Sequence, residues 1–474
     1  MERHFRLAWA LLEGGWRRDV DVAVDERGRV TRIAMEPAPP GETGDESQAA
    51  ARAERVTGFV VPGMANAHSH AFQRGMAGNT EYRRSAHDSF WTWRQAMYAL
   101  ANRITPPELE LISAQLFVEM LKAGYTSVAE FHYLHRQPGG TAYAQTNELW
   151  QAVASAADTA GIALTFLPTL YQTSDFGGQP LKPEQSRFAM TTDEFLRAVG
   201  TRVSAERQLA SPRIRTGAAF HSLRAVPIET LREAVGGLES IDPDMPVHIH
   251  IAEQLKEVKA CRASTGRRPI ELLLETGLVG ARWCLVHATH ATPAELDGIA
   301  AARAAVCVSI STEANLGDGF FDAARFLESN GRICVGSDSQ ATVCPAEELR
   351  WMEYQARLRK RRRGVLADSQ EPHVGTRLWR DAARHGAAAL GQPAGVIAAG
   401  ARADWLVLDP DHASMAGARA TTALDHLIFA GGTAAIRDVM VAGHWVVKGR
   451  RHAAEERVAE PFKELMGRLA LDGA

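Results

Sequence analysis

Two histidines one residue apart, His68 and His70 in "VPGMANAHSHAFQRGMAG", follow an apolar run and a Pro-Gly turn signal. Alternate side chains of a strand share a face, so H-x-H sets both imidazoles on one side of the backbone, where they can bind a single metal ion. The pattern returns as His248 and His250 in "MPVHIHIAE". Only one of this second pair can share a site with the first, and His250 is favoured because Glu253 follows it in H-x-x-E. His287 closes "RWCLVHATH", and Asp338 sits in "VGSDS". Each has an ordinary reading when taken alone, as a hydrogen-bonded core histidine or as a turn or helix-cap aspartate. Together they stand at the ends of different apolar segments, and metal ligation is the chemistry such a set can perform.

The elements that must position them alternate in type. Strand patterns run through "GFVVPGMANAHSH", "TSVAEFHYLH", "IALTFLPTL", "RIRTGAAFHSL", "MPVHIHIAE", "RWCLVHATH", "AAVCVSIST" and "RICVGSDS", eight in all, with helical patterns between them. One helix has legible ends: Thr105 as N-cap, Pro106 at the first helical position, Glu108 three residues past the cap, and Gly124 as stop. Eight βα units in about 330 residues predict a (β/α)8 TIM-type barrel, whose sites lie on the loops at the strand C-terminal ends. Those ends carry His68 and His70, His132 and Tyr133, His221, His248 and His250, His287, and Asp338. An open doubly wound sheet is the competing architecture, but no G-x-G-x-x-G follows the first strand.

Outside this region the pattern is that of half-buried strands. "VDVAVDERGRVTRIAM" reads as a β-hairpin with Val20, Val22 and Val24 on one face and "DERG" at the turn. Strand patterns return in "ADWLVLD" (403–409) and "VMVAGHWVVKG" (439–449), so the two chain ends are expected to form one small β-sandwich. The expected division is 1–61 and 397–474 for the sandwich and 62–396 for the barrel. Pro37–Glu54, rich in Pro, Gly and charge, is expected to be a mobile surface loop.

Composition narrows the partners. In 474 residues, 53 basic side chains face 56 acidic ones, which argues against nucleic acid or an anionic membrane as the main partner. The run Arg359–Arg363 reads as a solvated helix end. Cys261, Cys284, Cys307, Cys334 and Cys344 show no C-x-x-C spacing and read as reduced core residues. With no apolar stretch of about 18 residues and no leader pattern, a cytoplasmic location is expected.

With these residues in hand, the chain resembles the amidohydrolase superfamily, in its branch with one divalent metal. The resemblance makes His68, His70, His250 and Asp338 the metal ligands, and Glu253 and His287 the acid/base pair. Two-metal members carry a modified lysine near the fourth strand end, and "RIRTGAAFHSL" has none, so one metal per chain is expected. Three nitrogens and a carboxylate suit Zn2+ best, with Fe2+ also compatible. The implied reaction is hydrolytic deamination at a C=N carbon. Asp338 would orient the nucleophile and take its proton, His287 would stabilise the developing charge, and Glu253 would deliver a proton to the departing nitrogen.

"AHSHAFQRGMAG", "FHSLRAV" and "STEANLGDG" further resemble the formimidoylglutamate deiminases, which release ammonia from N-formimidoyl-L-glutamate in histidine degradation. That resemblance makes Gln73, Arg94, Tyr133, His221 and Arg224 the substrate-binding set and implies a homodimer. Two arginines suit a small dicarboxylate, since each guanidinium matches a planar carboxylate. Arg94 in "FWTWRQAMY" also reads as a stacked structural arginine. Two alternatives stand beside this reading: an aminohydrolase of purine-like or other ring amines, and a non-enzymic assembly protein on the same fold. The arginines count against a flat apolar ring slot, and the complete ligand set counts against a non-enzymic role.

Overall fold

The computed structural model describes residues 2–35, 53–82, 88–145 and 147–469. The expected loop Pro37–Glu54 lies outside these residues except at its end, where Glu54 already begins a strand.

Eight parallel strand positions close into a barrel: β1 Met64–Ser69, β2 Tyr125–His132, β3 Ala163–Leu170, β4 in two pieces (Ile214–Thr216 and Ala218–Phe220), β5 Val247–Ile251, β6 Trp283–His287, β7 Ala305–Val308 and β8 Arg332–Val335. The barrel closes by β8 pairing with β1 through Val335 and Asn66, extended by a bridge between Ser69 and Asp338. All eight sequence segments are strands here, and their near-continuous burial is what a parallel sheet covered by helices requires. The first segment is split. Glu54–Pro62 joins the sheet of the chain ends, and the chain enters the barrel only at Met64.

The helix Pro106–Ala123 has the expected ends. The Glu108 carboxylate accepts from the Thr105 backbone N–H at 2.9 Å, and Gly124 takes a left-handed φ of 104°. A Cβ on Gly124 would come within 2.9 Å of Leu406 Cδ1 and 3.0 Å of Ile436 Cδ1, so both conformation and space demand glycine.

Both chain ends contribute to one continuous eight-stranded sheet. Arg3–Leu12 pairs parallel with Glu54–Pro62, which pairs antiparallel with Trp405–Leu408. The hairpin of Gly15–Val24 with Val30–Ala34 flanks one edge, with Val20, Val22 and Val24 buried. This sheet has its own core around Phe5, Val60, Trp405 and Met440. Just before the strand Trp405–Leu408, Arg402 and Asp404, with side chains exposed by 1% and 0%, form a fully buried bidentate pair, and Arg402 also donates to the Pro212 carbonyl. Arg359–Arg363 lies exposed at the end of helix Pro345–Lys360. The five cysteines are free, and four of them are buried. Among the described residues no helix is long and apolar enough to cross a membrane.

Candidate active site

His68 and His70 leave the end of β1 with both rings inside the barrel mouth, and His250 reaches the same point from β5. His68 Nε2 lies 3.0 Å from His250 Nε2. Asp338 Oδ1 lies 3.4 Å from His68 Nε2 and 3.5 Å from His70 Nε2. The outer nitrogens are tied back: His70 Nδ1 bonds the Phe131 carbonyl at 2.9 Å, and His250 Nδ1 bonds the His221 carbonyl at 2.8 Å. Each of these contacts makes Nδ1 the protonated nitrogen, so both Nε2 lone pairs face the centre. Lone pairs brought together in a buried space need a cation between them. His68, His70 and His250 lie within mutual reach, and Asp338 stands beside His68 and His70, so three imidazole nitrogens and a carboxylate fit one divalent ion.

Backbone geometry at the strand ends sets these directions. His287 and Asp338 adopt left-handed φ values of 70° and 46°, uncommon for residues with a side chain. The β1 and β8 ends are also cross-linked, with His70 N–H donating to the Asp338 carbonyl at 3.1 Å and Asp338 N–H to the His68 carbonyl at 3.0 Å. The Gln340 amide holds the Asp338 carbonyl from the following turn.

Glu253 and His287 face this cluster. His287 Nε2 lies 3.9 Å from Glu253 Oε1 and 3.7 Å from Asp338 Oδ2, and its Nδ1 contacts Glu313 Oε1 at 3.3 Å. Burial pushes the Glu253 carboxyl up to about 7. Burial opposes charge on His287, but Glu253, Glu313 and Asp338 together hold it up at about 10. Asp338 is held well below the usual carboxylate range, its burial outweighed by His68 and His287.

His70, His250, Glu253, His287 and Asp338 open into one cavity, which Gln73, Arg94, Tyr133, His221 and Arg224 also line. Gln73 Nε2 donates to the Tyr133 hydroxyl at 3.0 Å, and its Oε1 is buried without a partner. The Arg94 guanidinium sits 4.5 Å from the Trp91 ring and 5.4 Å from Tyr98, so it is both stacked and part of the cavity wall. Nε of Arg94 and Nε of Arg224 are buried without hydrogen-bond partners. Among the described residues no carboxylate reaches either guanidinium at ion-pair distance, although Glu257 and Glu253 act on Arg224 from farther away. The cavity thus holds two cations with donors to spare.

The chain belongs to the amidohydrolase family. The family profile matches residues 59–446. A formimidoylglutamate deiminase from Pseudomonas aeruginosa is 47% identical over 460 residues, covering 97% of this chain and 98% of the relative. A crystal structure of an amidohydrolase from Brucella melitensis superposes with a TM-score of 0.90 at 39% identity, covering 99% and 100% of the two chains. The fold extends to an adenosine deaminase from Xanthomonas campestris with bound zinc, at TM-score 0.79 and 21% identity over 98% of each chain.

Two strand-end histidines lie outside the amidohydrolase centre. His248 turns its Nε2 to the Ala389 carbonyl at 2.8 Å, two residues below His250 on the same strand. His132 bonds the Leu134 carbonyl at 2.7 Å and lines a different cavity. Other members of the site carried weaker signals. Glu313, behind His287, stands in the "STEANLGDG" motif. Tyr171, just past β3, has no spacing that marks it, whereas Trp91 stands three residues before Arg94 on the helix Phe90–Ala101 and also faces Arg224.

Proposed function

We propose that this amidohydrolase is a zinc-dependent deiminase of N-formimidoyl-L-glutamate, acting in histidine degradation as a cytoplasmic homodimer. The observation that carries the substrate is the pair of guanidinium groups, half-buried Arg94 and buried Arg224, whose buried Nε atoms lack partners in the cavity of the histidine cluster. Buried charge without a counter-ion is costly, and a ligand with two carboxylates supplies what the pair lacks. The likeness to the Pseudomonas aeruginosa deiminase supports the same choice.

His68, His70, His250 and Asp338 would hold the ion. When bound, a divalent metal supplies the Lewis acidity that makes a water nucleophile available near neutral pH. Arg94 and Arg224 bind the carboxylates of the glutamate part, and Gln73, Tyr133 and His221 complete its enclosure. This anchoring presents the formimidoyl carbon to the space between Asp338, His287 and Glu253. Water oxygen adds to that carbon while Asp338 accepts the proton it releases. The His287 Nε2 proton stabilises the negative charge of the tetrahedral adduct. Glu253 then delivers one proton to the terminal nitrogen, and Asp338 passes on the proton it took from water. The C–N bond breaks with its electron pair on nitrogen as the adduct hydroxyl gives its proton back to Glu253, so the products are N-formyl-L-glutamate and ammonia and both carboxyl groups regain their starting state. Protonation is required because an amide anion is a prohibitive leaving group.

Ammonia release from formimidoyl and amidino compounds, measured beside ring amines, tests the substrate. Preference for a ring amine overturns it. Metal analysis of the purified chain tests zinc, with about one equivalent expected. Sedimentation equilibrium tests the homodimer.

A further inference from the structure

A second cationic cavity lies on the outer side of β2 and β3, beneath the helix Thr192–Leu209. At its base is Arg202, exposed by 6% and flanked by Trp150 and Phe166, whose ring centroids lie 5.5 and 5.1 Å from its Cζ. One Nη donates to the Ala198 carbonyl at 2.9 Å, and Nε is buried with no partner. Among the described residues no carboxylate forms an ion pair with it. Glu194, on the same wall, is taken by Arg136 at 3.0 Å. The nearby imidazoles offer no negative charge, and the Nε2 atoms of His132 and His135 are committed to backbone carbonyls. Burial opposes the charged form, lowering the Arg202 pKa to about 9, yet a guanidinium at neutral pH stays charged there.

A buried, uncompensated guanidinium beside open space is a demand for an anion. Leu149, Trp150 and Met190 give the wall an apolar stretch beside Arg202, while Asn147, Glu148, Arg197 and Thr201 make other parts of it polar. We propose that this cavity is a second ligand site that takes a small carboxylate with a flat or branched apolar body, its carboxylate on Arg202 and its body against Trp150. The site is separate from the active-site cavity, with strand β2 as the wall between them: Tyr133 faces the histidine cluster and His132 the second cavity.

The test uses 4-fluorobenzoate observed by 19F NMR on the full chain. Saturable broadening is expected with the unaltered protein, and equally with Arg224→Met, which disables the other cationic cavity. Affinity should fall at least tenfold in Arg202→Met, which keeps an unbranched stem between the rings, and in Ala198→Leu, which fills the cavity while leaving Arg202 in place. Because Ala198→Leu retains the arginine, a misfolded Arg202→Met would leave the question decidable. Binding unchanged in the Ala198→Leu protein, binding lost in Arg224→Met, or no saturable binding at all overturns the proposal. Inorganic phosphate displacing 4-fluorobenzoate at equal concentration would overturn the apolar-body requirement.

Discussion

Replacing Arg224 by Met separates binding from folding in a way few substitutions do. Arg224 is 9% exposed, its Nε has no partner, and no described carboxylate forms an ion pair with it. In the free protein, therefore, the substitution removes a buried charge held by no ion pair, its burial offset from a distance by Glu257 and Glu253, and keeps an apolar stem near Trp91. Stability should change little. In the complex the same change leaves a substrate carboxylate buried and unpaired, which costs about 2–5 kcal/mol. That range corresponds to a loss of roughly 30-fold to several-thousand-fold in kcat/KM. Ammonia release gives the rate, and a thermal melt of the same preparation gives the stability. A formimidoyl compound without the matching carboxylate should be poor with the unaltered enzyme and hardly affected by the substitution. Equal losses on both compounds, or a melting temperature several degrees lower, would show that Arg224 supports the fold and not the substrate.

Glu253→Gln keeps size and a hydrogen bond but cannot exchange a proton, so kcat should fall by roughly 10²–10⁴ while metal content stays near that of the unaltered protein. Asp338→Ala or His68→Ala should abolish turnover and lower bound metal, with the far-ultraviolet circular dichroism of a folded barrel retained, because the apolar cluster of the barrel strands and their covering helices carries the fold. Asp404→Asn strips the buried Arg402 of its charge partner, so urea unfolding should show a loss of about 3–5 kcal/mol with little change in kcat/KM.

The fold was legible where the chain repeats a period. All eight barrel strands coincide with apolar segments bounded by turn or helix signals, and the ends of helix Pro106–Ala123 follow from Thr105, Glu108 and Gly124. The metal cluster was legible for the same reason, since H-x-H in a strand fixes a shared face. Period alone could not separate His132 from the others. It too ends a strand, but its neighbours Phe131 and Tyr133 take the inward face, and alternation turns His132 out. His248 shows a second limit: it shares the inward face with His250 but lies one layer lower, where it meets the Ala389 carbonyl. Trp91 reaches Arg94 through i, i+3 spacing on the helix Phe90–Ala101. Tyr171 just past β3 and Glu313 on the helix Ile310–Leu316 were not legible from spacing, because only the packing of separate elements brings them to the cavity and to His287. Arg202 looks in sequence like any arginine on a helix with exposed neighbours, and only packing between Trp150 and Phe166 reveals its burial.

The placement of these groups divides the labour between strands and connections. The histidine cluster sits on the ends of buried strands, its rings pinned by the carbonyls of Phe131 and His221 and its β1 and β8 ends bonded to each other. Little in a loop can disturb that geometry. The groups that suit a dicarboxylate instead come from the connections: Arg94 from the helix Phe90–Ala101, and Arg224 from the segment after β4. Reaction class and substrate choice are thus held by different parts of the chain. A barrel that keeps the cluster but presents apolar side chains at the two arginine positions would retain hydrolytic deamination and lose its means of binding a dicarboxylate. The same division explains why fold likeness to an adenosine deaminase fits this chain without assigning it a purine substrate.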